Sequence, residues 1–176
     1  PIDTLLMEVD IAGITSREKP LITEKLNLYK DGTIQPLSFE KSFATSPGTS
    51  ARSALLSSLA TEATEDSDVF FLLYAVASSS APRGAASRGR GTDDELKIEL
   101  GEATVNLETI HKEGDLRRQR LTLKRSGAVP NKAGEEIGSV RADVMCCTAL
   151  DRIVSEMKAT RLNITVHNLN LSDPSG

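Results

Sequence analysis

The sequence has few of the residues that build covalent or metal-bound frameworks. Of its 176 residues only two are cysteine, none is tryptophan and 3% are aromatic. Cys146 and Cys147 are adjacent, and because neighbouring residues of a strand point to opposite faces, a disulfide between them would need a strained backbone. No metal-ligand spacing is present either. We therefore predict two unpaired thiols on a terminal strand, in a reducing compartment, and no metal or other cofactor.

Long hydrophobic runs and an excess of positive charge are also missing. No apolar stretch approaches the roughly 20 residues that span a bilayer, which predicts a soluble chain. The formal net charge is -4, so the chain as a whole does not attract nucleic acid or anionic lipid, although charge can still be concentrated locally. We expect no nucleic-acid partner. The chain begins at Pro1 rather than at Met, which predicts a fragment of a longer protein.

Patterns that carry catalysis are missing as well. The two histidines, His111 and His167, have no serine or cysteine in a nucleophile-elbow context beside them, and no glycine-rich phosphate loop occurs. Acidic residues are abundant, but nothing pairs them at a defined position. We therefore predict that the protein is not an enzyme and has no small-molecule substrate.

Alternating apolar and polar residues dominate the rest of the sequence. Residues 68–77 form the most hydrophobic run, and their length and aromatics predict a central strand buried on both faces. Strands separated by turns, without regular strand–helix alternation, predict an all-β antiparallel sandwich with at least seven strands in two packed sheets. The further strand-like segments are residues 4–12, short pieces between 21 and 45, 95–110, 115–125 and 136–150. The side chains expected to reach the core from the central strand are Phe71, Leu73 and Val76, or else Phe70, Leu72 and Tyr74.

One or two short helices are predicted as insertions in this sandwich. Thr49 or Ser50 can cap a helix over residues 50–60. Its apolar residues Ala51, Leu55 and Leu59 recur every four positions, so a narrow stripe should lie against the outside of the sheets. The stretch "LDRIVSEMKAT", residues 150–160, allows a second short helix.

The order of segments in the second half resembles a C2 domain over residues 1–150. An apolar strand is followed by a low-complexity stretch that predicts a flexible insertion at 78–93, then by "LKIELGEATVNLETI", "LRRQRLTLKR" and "GEEIGSVRADVMC". The helix "SARSALLSSLA" before the strand "VFFLLYAV" is similar to the ciliary C2 domains of the retinitis pigmentosa GTPase regulator-interacting protein family and of related centriolar and ciliary C2 proteins. Residues 151–176 form a helix and strand extension. Within it, "RLNITVHNLNLSDP" either begins a following C2 domain or pairs with the sheet edge of this one.

The resemblance implies a C2-type β-sandwich, but the residues after the apolar strand differ from those of calcium-binding C2 domains. Many C2 domains bind Ca²⁺ through an Asp-x-Asp pair directly after the apolar strand, because Ca²⁺ takes six to eight oxygen ligands. Here that position reads Ala77-Ser78-Ser79-Ser80, and the only nearby acidic pair is Asp93 and Asp94. We therefore expect a calcium-independent domain.

A basic cluster gives the candidate binding surface. By the resemblance, the protein would be an interaction module of a larger ciliary, basal-body or centriolar scaffold, located in the cytoplasm or cytoskeleton at a basal body or transition zone, and its partners would be other ciliary or centriolar proteins. The alternative is a peripheral membrane domain that binds anionic lipid, a phosphoinositide in particular. The residues predicted to face either partner are Arg117, Arg118, Arg120, Lys124 and Arg125.

Overall fold

Seven antiparallel strands and three α-helices make up the described part of the chain. The computed structural model describes residues 4–11, 13–16, 19–27, 37–61, 63–77, 96–127 and 133–159. The strands are β1 (Thr4–Ile11), β2 (Leu21–Ile22), β3 (Leu26–Asn27), β4 (Asp68–Ala77), β5 (Leu96–Asn106), β6 (Leu116–Arg125) and β7 (Glu136–Val144). The helices are α1 (Ser50–Ala60), α2 (Leu107–Glu113) and α3 (Cys147–Ala159), and a single 3-10 turn spans Thr64–Ser67.

Hydrogen bonds link all seven strands in the order β2-β1-β4-β5-β6-β7, with β3 also pairing with β1. Every pairing is antiparallel. The most hydrophobic strand, β4, lies in the interior of this order, between β1 and β5, as its composition predicts. The mostly antiparallel, β-rich fold class is therefore confirmed.

The two faces of β4 differ in which of its side chains join the main core. Phe71 is 7% exposed and belongs to the main core, and Leu73 packs against it. Val76 is buried as well, but the two-residue period of a strand places it on the opposite face, with Phe70, Leu72 and Tyr74. Of the two predicted sets, Phe71, Leu73 and Val76 are therefore the side chains that are buried or packed against the core, although Val76 extends from the other face of β4.

The sheet nearly divides between β5 and β6. Only Gly101↔Arg125 and Glu102↔Lys124 pair across this boundary, whereas β6 and β7 pair from Leu116 to Lys124. The part containing β1, β4 and β5 and the β6–β7 hairpin still contribute side chains to one core, because Leu123 of β6 joins Phe71 in it. A junction of only two paired positions thus links two ladders whose side chains pack in the same core.

The three helices complete that core. Leu55 of α1 lies in it together with Ile110 of α2, and Leu150 and Ile153 of α3 are both fully buried there. Helix α3 runs through position 150 without interruption, so the first part of the predicted C-terminal extension contributes Ile153 to the same core as the strands, and Met157 packs against it.

Helix α1 is confirmed together with its predicted cap. The side-chain oxygen of Thr49 accepts a hydrogen bond from the backbone N–H of Arg52 at 3.3 Å. Arg52 is only 5% exposed, and its guanidinium donates to the carbonyl oxygen of Thr45 at 3.3 Å and to the carboxylate of Glu156 on α3. A buried guanidinium needs several acceptors, and Arg52 finds one of them on α3. Its bond to Glu156 therefore connects α1 to α3.

Two parts of the predicted strands are helical instead. Residues 107–110 belong to α2, since the side chain of Asn106 caps the helix by accepting from the N–H of Thr109 at 3.2 Å. Gly114, at φ 104°, ends it. Residues 147–150, read as the end of the last strand, are the first turn of α3, so Cys146 and Cys147 lie at a strand–helix junction rather than on a strand. The described residues hold three α-helices, one more than predicted.

Candidate functional site

The five basic residues singled out from the sequence all lie on β6, but they do not form one surface. Arg117, Arg118, Arg120 and Lys124 are exposed. Arg125 is half-buried, pairs in register with Gly101, and its Nε lies 3.3 Å from the carboxylate of Glu135. Because its charge already has a partner within the domain, Arg125 is set apart from the other four.

A further arginine joins the surface from the neighbouring strand. Arg141 of β7 is exposed and lies directly opposite Arg120 in the β6–β7 ladder. We call Arg117, Arg118, Arg120, Lys124 and Arg141 the basic ribbon. Alternation in "SVRADV" indicates that Arg141 lies on the outer face, because its neighbours Val140 and Ala142 pack against the core. Its position opposite Arg120 depends on the register between β6 and β7, which cannot be read from one sequence.

The ends of the basic ribbon carry acidic neighbours. Pairing jumps from Leu116↔Val144 to Gln119↔Ala142, so Arg117 and Arg118 together face Asp143 across a β-bulge. Arg118 has a φ of 50°, and its backbone N–H donates to the carboxylate of Asp143. At the other end, Lys124 lies opposite both Glu102 and Glu136. Among the described residues, the members of the basic ribbon without an acidic cross-strand neighbour are therefore Arg120 and Arg141.

The strands on the far side of the β5–β6 junction present the opposite charge. Burial raises the pKa of Tyr74 on β4, and the carboxylates of Glu8, Glu99 and Asp10 raise it further. These acidic residues lie on β1 and β5, around the face that β4 turns away from the core. The domain thus separates its surface charge, although its total charge is low.

Asp115 organises the junction where the two cysteines lie. Its carboxylate accepts hydrogen bonds from the backbone N–H groups of Cys146 and Cys147, both at 2.8 Å, and so caps the start of α3.

Both cysteines are free thiols. Burial, then the carboxylate of Asp115 and the Cys147 thiol, raises the pKa of Cys146 from 9.0 to about 11. Burial and the carboxylates of Asp151 and Asp115 also raise the pKa of Cys147. A protonated thiol is a poor nucleophile and a poor metal ligand.

The raised pKa of Cys146 predicts a loss of stability in alkali. The unfolded thiol loses its proton near pH 9, while the folded thiol keeps it up to about pH 11. The unfolded state therefore binds fewer protons in this window, and the free energy of unfolding falls as pH rises through it. Urea titrations at pH 8, 9, 10 and 11 should show a steeper fall for the native chain than for Cys146→Ala, in which every other group still titrates. Parallel curves for the two chains would contradict the assignment.

Few side chains among the described residues are arranged for metal binding or proton transfer. No three His, Cys, Asp or Glu residues among them lie where they could hold a metal ion. His111 Nε2 lies 3.0 Å from Asp151 Oδ1, a contact that joins α2 to α3. The predicted insertion at 78–93, the acidic pair Asp93 and Asp94, and His167 lie outside the described residues. Within the part of the chain that the structure describes, no helix is long and apolar enough to cross a membrane.

No family model matches the chain, and no curated protein matches it at a significant level.

Proposed function

We propose that this chain is a calcium-independent C2-type β-sandwich, and that it serves as a protein-interaction module of a larger scaffold at a cilium, basal body or centriole. The observations that support the sandwich are the antiparallel ladders and their near-division at Gly101 and Glu102, with both parts packing on one core. The C2 identity and the cellular location rest on the sequence resemblance.

The pairing of Arg120 with Arg141 carries the proposal that the basic ribbon is the binding surface. Like charges directly opposite each other in an antiparallel ladder destabilise it, so this pair costs the isolated domain stability. Two exposed guanidinium groups at one cross-strand position offer several donors to carboxylates, which arginine binds in a bidentate manner. A partner segment rich in Asp or Glu would turn the repulsion into attraction.

Phosphoinositide binding is the second candidate, because guanidinium groups also bind phosphate. The acidic neighbours at both ends of the ribbon, Asp143 at one and Glu102 and Glu136 at the other, count against a membrane. A bilayer presents anionic charge over a wide area, and each basic residue contributes only about 1 kcal/mol to surface attachment. A ribbon of basic residues with acidic residues at both ends suits a protein partner with a complementary charge pattern better than it suits a uniformly anionic bilayer.

Replacing Arg120 by glutamate separates binding from folding. Arg120→Glu puts an acidic residue opposite Arg141, so we expect the free energy of unfolding to rise by about 1 kcal/mol. The same change should abolish enrichment of a fluorescent fusion of this domain at basal bodies in ciliated cells. Thermal unfolding and quantitative imaging measure the two effects. A variant more stable than the native chain, yet unable to localise, cannot have lost its function by misfolding.

The matched control is Arg152→Glu, which reverses the same charge at an exposed position of α3 away from the basic ribbon. It should localise as the native chain does. Vesicles containing phosphoinositide test the alternative: co-sedimentation at physiological salt that is lost with Arg117→Glu and Arg120→Glu would favour the membrane function. Localisation that survives Arg120→Glu, without vesicle binding, would contradict both assignments of the ribbon.

A further inference from the structure

The first residues of β5 have a strand partner on one side only in the part of the chain that the structure describes. Residues 96–99 pair with β4, where Ile98 lies opposite Ala75. On the other side, β6 pairs with Gly101 and Glu102, and the N–H of Ser126, directly after β6, donates to the carbonyl oxygen of Leu100 at 3.3 Å. Among the described residues, the backbone groups of 96–99 that point away from β4 therefore have no strand partner, and we call them the open edge.

This open edge carries exposed apolar side chains. Leu96 is 60% exposed and Ile98 is 43% exposed, two of the largest values among the large hydrophobic residues of the described chain. Natural sheets usually protect an open edge with charge, proline or a covering element, because unpaired N–H and C=O groups attract other strands. An edge with exposed leucine and isoleucine has the character of a pairing surface.

The sequence of this edge is complementary to itself. Lys97 and Glu99 flank Ile98, so an antiparallel pairing centred on Ile98 places Lys97 of each copy opposite Glu99 of the other. Opposite charges at facing positions of an antiparallel pair stabilise it, by about 0.2–1 kcal/mol for each pair. A twofold axis through Ile98 makes both pairs at once, as the isologous interface of a symmetric dimer requires.

We propose that the chain forms a homodimer by antiparallel pairing of β5 edges, in which Lys97, Ile98 and Glu99 of one copy face Glu99, Ile98 and Lys97 of a second copy, so that the sheet continues from one β4–β5 ladder into the other. The pairing is short, because a β-bulge at Leu100 shifts the register of β5 against β4. Backbone hydrogen bonds and burial of Leu96 and Ile98 supply the attraction, and Lys97 with Glu99 fixes the register. This proposal stands independently of the basic ribbon, which lies on β6 and β7.

Charge reversal at the two positions tests the dimer with internal controls. In sedimentation velocity over a range of protein concentrations, the native chain should associate. Lys97→Glu and Glu99→Lys should each weaken association on the order of tenfold or more, because two attractive pairs become repulsive. An equimolar mixture of the two variants should associate again, since the introduced residues of one variant then face residues of opposite charge in the other.

The combined variant Lys97→Glu with Glu99→Lys should self-associate like the native chain, because it keeps the complementarity with reversed signs. Restoration in the mixture shows that both single variants are folded. The proposal is overturned if the native chain is monomeric at all concentrations, if the single variants associate as strongly as the native chain, or if mixing them restores nothing.

Discussion

Ile153→Ala is expected to lower the free energy of unfolding by about 3 kcal/mol. Ile153 is 0% exposed and lies in the same core as Leu55 of α1 and Phe71 of β4. Truncating a fully buried isoleucine removes its transfer free energy and leaves a cavity, which together cost about 2–5 kcal/mol. Urea unfolding followed by circular dichroism measures the change. For a domain of this size, a loss of that magnitude is a large part of the total stability.

Ser155→Ala supplies the control, because Ser155 is exposed on the same helix and alanine favours helix slightly more than serine. Its stability should equal or slightly exceed that of the native chain. A cost below about 1 kcal/mol for Ile153→Ala would mean that α3 is only loosely attached.

Gly101→Ala should cost about 3 kcal/mol and weaken the attachment of the β6–β7 hairpin. A Cβ atom at this position would lie 2.4 Å from the carbonyl oxygen of Lys124 and 2.6 Å from Cδ1 of Ile137. The isoleucine can change its rotamer, but the carbonyl oxygen is backbone in a strand that pairs with Gly101 itself. The clash with this oxygen can be relieved only if β5 and β6 separate at their two-residue junction. The loss in free energy of unfolding therefore lies at the upper end of the range for overpacking.

Gly138→Ala is the matched control in the adjacent hairpin, since a Cβ there meets nothing within 4 Å. This change should be neutral or stabilise slightly, by reducing the freedom of the unfolded chain. Thermal melts of both variants, with NMR spectra of the β6 amides, would measure stability and attachment. Equal melting temperatures for the two glycine variants would show that β5 and β6 are not held as closely as described.

Much of the fold follows from short-range patterns in the sequence. Alternation locates β1, β6 and most of β7, and the long apolar run locates β4. Thr49 caps α1 where its side chain predicts, because a cap depends on only a few neighbouring residues. Alternation in β7 also separates inward Val140 from outward Arg141.

The features that sequence reasoning misses depend on tertiary contacts. Leu107 and Ile110 suit a strand or a helix equally in so short a segment, and burial of both against the core decides for helix. The pairing of Arg120 with Arg141 depends on a register that two bulges shift. The exposure of Leu96 and Ile98 depends on how far β6 follows β5. The expectations for calcium at Asp93 and Asp94, and for a strand at 161–172, concern residues outside the described ranges and stay predictions.

The near-division of the sheet also bears on the order in which the chain folds. The β6–β7 hairpin and α3 join residues that are close in sequence, so closing their loops costs little entropy. Strand β1 must instead find β4 across the whole intervening segment, since Ile11 pairs with Val69 and Thr4 pairs with Val76. Distant pairings of this kind slow folding. The C-terminal hairpin and helix can therefore collapse first, and the N-terminal strand docks late onto a surface that β4 and β5 have already formed.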